Sequence, residues 1–260
     1  MTLHDLSSYM PYIPALMLVA ARVAGVLIVA PVFGHAAVPV RLRLFMSIVI
    51  ALAVVARKPE PVMLPCSWFD LAMGLACELV LGAVIGMAAR LLFVGVQLGA
   101  LYVGQQMGIS LPAVFNPLAE DASDAVRRLF KLLTVVLFLA IGGHRTLLAA
   151  LMRSFQTIPP HNFVPGSAML DMVVAMLAGS FLLALKVAAP ILLALLLATV
   201  AMGFVQRTIP QCNLLSTGFP VRLMLGQLVL AAVLGVLPWL VERAWSLTAG
   251  RIEALLEVAG

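Results

Sequence analysis

"FDLAMGLACELVLGAVIGMAARLLFVGVQLGALYVG", residues 69–104, contains no proline and only three charged side chains, Asp70, Glu78 and Arg90. Leu, Ala, Val and Gly dominate it without period-two alternation, so it reads as helix rather than strand. One continuous helix over this stretch would reach about 54 Å at 1.5 Å per residue. A bilayer span needs only about 20 apolar residues, so the segment is too long for a simple crossing. Gly82 and Gly86 follow Glu78 at i+4 and i+8, on nearly the same helix face. Small residues four apart let a second helix approach closely, so a neighbouring helix is expected to cover Glu78. Gly95 with Gly99, and Gly104 with Gly108, repeat the spacing and suggest a helix packed on several sides.

The rest of the chain shares this character. Of 260 residues, 63% are hydrophobic and 10% charged, against roughly half and a quarter in ordinary soluble domains. A globule of this size cannot hide the excess, so much of the surface must face lipid or other apolar subunits. Further apolar runs lie at about 13–33, 44–56, 129–143, 168–204 and 223–241. "LFMSIVIALAVVA" (44–56) is short for a span, and 168–204 is long and contains Pro190, which is expected to kink or split its helix. The fold class that follows is all-α and membrane-associated, built of antiparallel helical hairpins with some helices broken or kinked. Residues 1–260 read as a single integral membrane domain. The N-terminus lacks a basic region ahead of its first apolar run, so no cleaved signal peptide is expected.

Charge carries two messages. Net charge is +5, but the sixteen Lys and Arg are scattered, which argues against a nucleic-acid partner. Pairs such as Arg41 with Arg43, Arg127 with Arg128, and Arg207 with Arg222 populate almost every connection, so a positive-inside orientation does not emerge. Either some apolar runs do not cross, or the chain is no conventional serpentine. Arg22, Glu78, Arg90 and Lys186 lie inside apolar runs, where a charge costs about 2.5–3.5 kcal/mol and usually faces a partner or water. They are candidates for snorkelling to an interface, for structural pairs, for subunit contacts or for a polar path.

Three connections interrupt the helices. "GQQMGISLPAVFNPLAEDASDAVRR" (104–128) reads as an irregular loop over roughly 106–117, followed by a helix start with acids ahead of Arg127 and Arg128, as the macrodipole prefers. "SFQTIPPHNFVPGS" (154–167) reads as a rigid turn without chemistry; His161 lies there without an evident partner. "FVQRTIPQCNLLSTGFPVR" (204–222) carries Arg207, Pro210, Gln211 and Asn213 between apolar runs; irregular backbone at membrane depth survives only when buried in protein or lining a watery cavity. Cys66, Cys77 and Cys212 show no paired spacing, so neither disulfides nor zinc are expected. HExxH, GxSxG, phosphate-loop and EF-hand patterns are missing from the sequence, so it offers no catalytic constellation and implies no cofactor.

"RVAGVLIVAPVFGHAAVPVRLRL" (22–44), "ELVLGAVIGM" (78–87), "GQQMGISLPAVFNP" (104–117), "GGHRTLLAALMRSFQTIP" (142–159) and "GFVQRTIPQCNLLSTGFPVRLMLG" (203–226) occur in an order that resembles the flagellar biosynthetic protein FliR family. That family includes the T subunits of virulence-associated type III systems. The resemblance runs from about residue 22 to 240 and implies a non-enzymatic subunit of the flagellar export gate in the bacterial inner membrane, at the basal body. Its implied partners are the P and Q gate subunits, the large A and B export components, the lipid membrane and the unfolded flagellar proteins that pass through. The resemblance also implies a channel plug around 104–117, in which Met107, Ile109, Leu111, Val114 and Phe115 would form an apolar seal. The position before Pro117, often acidic in the family, is Asn116 here, which removes a charge-based latch. Arg207, Pro210 and Gln211 would shape a bent connection against neighbouring subunits. The alternative reading is a small secondary transporter with Glu78, Arg90 and Lys186 on a solute or proton path.

Overall fold

The computed structural model describes residues 12–31, 33–34, 38–57, 67–109, 125–163, 165–208 and 218–259. All regular structure among the described residues is helical. The elements are α1 (Tyr12–Val29), α2 (Val40–Arg57), α3 (Trp68–Gln106), α4 (Ala125–Ala140), α5 (Gly143–Thr157), α6 (Ser167–Thr208) and α7 (Phe219–Ala259). Among the described residues, three helices are long and apolar enough to cross a membrane: α3, α6 and α7 over Phe219–Glu257. The bent pair α4–α5 counts as a fourth if read as one span.

Several boundaries differ from the sequence expectations. α7 continues past residue 241 to Ala259, because its last turns alternate buried Ile252, Leu255 and Leu256 with exposed charged residues. α6 runs through Pro190 without interruption. A proline removes one backbone donor, and neighbouring groups in apolar helices tolerate that loss. The break lies instead at Gly142, whose left-handed φ of 72° suits glycine. Beyond it stands α5, a helix that average apolarity did not single out.

The chain divides into two compact units. One comprises Met1–Leu91, Gly142–Met176 and Ser246–Gly260, the other Leu92–Ile141 and Leu177–Trp245. In the first unit α2 packs on α1 and buries only the small Ser47 and Ala51, while Phe45, Ile48 and Leu52 remain exposed. α1 meets the first half of α3 through glycines on both sides. A methyl group on Gly25 would strike the Leu79 carbonyl oxygen and one on Gly86 would lie 2.9 Å from that of Val26. Arg251 of α7 donates to the Ala175 carbonyl at 2.7 Å, and Arg153 of α5 pairs with Glu253 at 2.6 Å on the surface.

The second unit repeats the close approach with another partner. A Cβ on Gly95 would sit 2.7 Å from the Ser180 carbonyl oxygen, and one on Gly99 2.8 Å from that of Ala184, so α3 touches α6 backbone to backbone. α4 turns Val126, Phe130, Thr134 and Phe138 inward, a strict four-residue stripe of the kind a helix must bury. Phe138 meets Phe93 edge-on at 5.4 Å and Trp245 at 5.0 Å between ring centroids.

Burial within the chain falls off along the sequence. The most apolar window of α3 is 61% buried, that of α6 39% and that of α7 22%. Phe181, Leu185, Leu193, Leu196 and Phe204 of α6, with Met224, Leu228 and Trp239 of α7, are exposed. Contiguous apolar surface of this kind marks contact with lipid or protein.

Candidate functional site, a buried arginine–glutamate clamp

α1 carries Arg22 on the face that also buries Leu18 and Val26, and α3 carries Glu78 one turn ahead of Gly82. The absence of a side chain at Gly82 lets the Arg22 backbone lie directly on α3, since a Cβ there would overlap the Arg22 carbonyl oxygen. At that approach the two charged side chains meet. Arg22 Nε donates to Glu78 Oε2 at 2.5 Å and Nη2 donates to Oε1 at 3.1 Å, a bidentate pair of the stronger, charge-assisted type. Both side chains are removed from solvent, at 0% and 1% exposure.

The remaining donors of Arg22 reach the end of α5. Nη1 donates to the Ser154 carbonyl at 2.8 Å and to Ser154 Oγ at 3.2 Å, and Nη2 donates to the Ile158 carbonyl at 3.1 Å. A guanidinium has five N–H groups, and all five are engaged. Phe155 adds its ring face, with the guanidinium carbon 4.5 Å from the centroid.

α5 needs such a partner because of its sequence. Ile158 precedes Pro159, which biases it towards extended backbone; its φ and ψ are −119° and 98°. The helix stops there, its last bond running from the Ile158 N–H to the Ser154 carbonyl at 3.0 Å, so Arg22 adds a second donor to Ser154 and supplies one to Ile158 just beyond the helix end. A cation at a helix C-terminus also meets the negative end of the dipole. Glu78 then offsets the charge and, through Oε1, accepts the His161 N–H at 2.9 Å. One buried ion pair therefore ties α1, α3, the end of α5 and the turn after it. Breaking such a pair by removing one partner leaves a buried charge unmatched and costs about 3–5 kcal/mol.

Sequence reasoning singled out Arg22, Glu78, Gly82 and Gly86, and the structure gathers them. It missed Ser154, Phe155, the Ile158 carbonyl and His161. The available signal was the Pro159–Pro160 stop, which promises unpaired helix-end carbonyls, set beside an intrahelical arginine in want of acceptors. Arg90, Lys186 and Arg207 are exposed on their helices, and Arg90 joins neither Arg22 nor Glu78 in any hydrogen bond or ion pair. Glu78, with three donors already on it, is poorly suited to carry a solute or proton.

Met107 is fully buried and lies against α7, where a Cβ on Gly226 would come within 2.7 Å of Met107 Cε. The end of α3 explains its placement. Gly108, at φ 79°, donates to the Gln105 carbonyl at 3.1 Å, and Ile109 donates to that of Gly104 at 3.2 Å, the paired bonds of a Schellman cap. The helix thus persists past residue 104, and Ile109 is half-buried. Leu111, Val114, Phe115, Asn116, Pro210 and Gln211 lie outside the described residues. No group of three or more His, Cys, Asp or Glu gathers in metal-binding fashion among the described residues.

Comparison with known proteins matches residues 13–248 to the family described as bacterial export proteins, family 1. The chain belongs to that family. The matched region takes in residues from all seven helices and the whole Arg22–Glu78 clamp. Among curated relatives, flagellar biosynthetic protein FliR of Bacillus subtilis (strain 168) is 24% identical over 98% of this chain and 99% of its own. The FliR proteins of Escherichia coli (strain K12) and Caulobacter vibrioides are each 28% identical, over 86% of this chain and 86% and 89% of their own lengths. For this export-family member, the clamp is a structural charge pair set within apolar helices.

Proposed function

We propose that this chain is a non-enzymatic subunit of the flagellar type III export gate, seated at the basal body in the bacterial inner membrane as a single integral membrane domain. At the coarser level it is a membrane-embedded component of the flagellar export apparatus, through its family and its apolar helices. In the finer reading it assembles with P and Q subunits, receives unfolded flagellar proteins from the large A and B components, and closes the conduit with the segment around 104–117. Met107, Ile109, Leu111, Val114 and Phe115 supply the apolar seal, and Arg207, Pro210 and Gln211 shape a bent connection against neighbours.

The observation that carries this reading is the family match from residue 13 to residue 248. The exposed apolar faces of α6 and α7 support it, because helices of this length with so little internal cover call for lipid or sister subunits. The clamp contributes by removing two charges from those surfaces and fixing the first unit before partners arrive. The test is co-expression with P and Q subunits, together with restoration of motility to cells lacking their own family member. One detergent-stable complex and restored swarming are expected. A chain that purifies alone, ignores both subunits and leaves cells immotile would overturn the proposal.

A further inference from the structure

In the second unit α3 has two unlike sides. Val96, Ala100, Val103 and Met107 recur every three or four residues and are 0% exposed, while Gly95 and Gly99 lie against α6. On the other side two adjacent rows run at i, i+4 and i+8. One holds Gln97, Leu101 and Gln105, the other Leu98, Tyr102 and Gln106. Gln97, Leu98 and Leu101 are half-buried, and Tyr102, Gln105 and Gln106 are exposed. The side chains of Gln97, Tyr102, Gln105 and Gln106 make no hydrogen bond among the described residues. The exposed faces of α6 and α7 in the same unit differ in kind: Leu185, Leu193 and Leu196 dominate one, Met224, Leu228 and Val236 the other.

We propose that this polar side of α3 is a wall of the export conduit, where Gln97, Tyr102, Gln105 and Gln106 exchange hydrogen bonds with the backbone of an extended chain in transit; the inference rests on the export role proposed above. Hydrocarbon is a poor host for these groups, because unpartnered polar groups are costly there. From Gln97 to Gln106 the rows extend about 14 Å along the helix at 1.5 Å per residue. One headgroup layer is only roughly 5–8 Å deep, so lipid headgroups do not cover them all. A packed helix answers them badly as well, since its backbone N–H and C=O groups are already paired internally. An extended polypeptide instead presents a free N–H and C=O at every residue. A glutamine amide both donates and accepts, and so does the Tyr102 hydroxyl, so each can meet either backbone group. Neutral groups also suit a passage that takes many sequences. The backbone is common to all of them, and a neutral hydrogen bond exchanged with water nets too little to trap the chain.

Site-specific photo-crosslinking tests it, with a benzophenone amino acid placed at Gln97, Tyr102 or Gln105 of the full chain in gates assembled with P and Q subunits. The probe is an exported flagellar protein stalled in transit by a folded domain fused to its C-terminus. Adducts between this chain and the stalled protein should form from the three α3 positions, and not from Leu193 of α6 or Leu228 of α7. Gln97→Leu leaves a passing peptide group unmatched, so secretion should slow about fivefold, the rate equivalent of one hydrogen bond. Gln97→Asn should recover most of that loss. Exporting gates whose α3 positions stay silent, adducts there only to P, Q or lipid, or a Gln97→Leu gate secreting at the wild-type rate would overturn the inference and leave the export role standing. A chain that never enters the gate sinks both.

Discussion

The Arg22 backbone rests on Gly82 so closely that a single methyl group on the glycine would overlap the Arg22 carbonyl oxygen. Gly82→Ala should therefore push α1 away from α3 and destabilise the first unit by about 1–3 kcal/mol, read as a lowered unfolding temperature of the full chain in detergent. Gly235 meets nothing within 4 Å in the chain. Gly235→Ala should be neutral or raise stability by up to about 1 kcal/mol through helix propensity. Equal effects at the two sites would remove the close-approach explanation.

Two arginine–glutamate pairs have similar shortest distances, but one is buried, bidentate and further hydrogen-bonded while the other is a single surface contact, and these differences should decide their worth. Arg153 and Glu253 are 64% and 53% exposed, so Arg153→Ala should change stability by under about 1 kcal/mol. Glu78→Ala strands the Arg22 charge among buried groups and should cost about 3–5 kcal/mol. Glu78→Gln, which keeps an acceptor for the His161 N–H, should fall between. Thermal or denaturant unfolding of the three variants side by side gives the order, and comparable losses at Arg153 and Glu78 would contradict it.

In the second unit the aromatic pair contacts of Phe138 should make it the costliest core position on α4. Phe138→Ala should lose about 3–5 kcal/mol, and Phe138→Leu substantially less. Leu132→Ala, at a position 66% exposed, should leave the unfolding temperature of the isolated chain nearly unchanged. A mild Phe138→Ala variant would show that Phe93 and Trp245 close the gap.

The plug proposal has its own readout. Deleting residues 106–115 removes the buried Met107 and the Schellman cap along with the segment that follows, and cells carrying the shortened chain in an assembled gate should leak small solutes. Gly108→Ala, which strains a left-handed position by about 1–2 kcal/mol, should produce a weaker leak. Unchanged permeability in the deletion, with the gate still assembled, would strip this segment of a sealing role.

The helices that apolar composition and glycine spacing marked are the ones best recovered. Residues 69–104 read as helical and too long for a simple crossing, and they form one continuous helix, with Gly82 and Gly86 under α1 and Gly95 and Gly99 against α6. Legibility was lower where helix propensity and amphipathic spacing outweigh average hydropathy. α5 and the end of α7 are mixed in composition, and they became visible as elements only once their buried stripes had neighbours. Pro190 was expected to kink or split its helix; α6 is not split there and continues over forty-two residues. The segment 154–167 read as a turn without chemistry, whereas its first four residues close α5; its contacts with Arg22 and Glu78 run largely through backbone carbonyls and an N–H that sequence shows at every position alike.

Sequence by itself determined that this chain is helical, that it carries more apolar surface than it can bury, and that Arg22, Glu78, Arg90 and Lys186 lie inside apolar runs where a charge faces a partner or water. Those conclusions follow from composition and local spacing, which act through the solvent and through neighbours one turn away. Tertiary structure decided that Arg22 and Glu78 are each other's partners across fifty-six residues, and that the guanidinium also closes the end of α5. No local rule could supply this, because a buried charge is satisfied by whichever acceptors packing brings within about 3 Å. Here that packing is set by glycines that let two helix backbones touch.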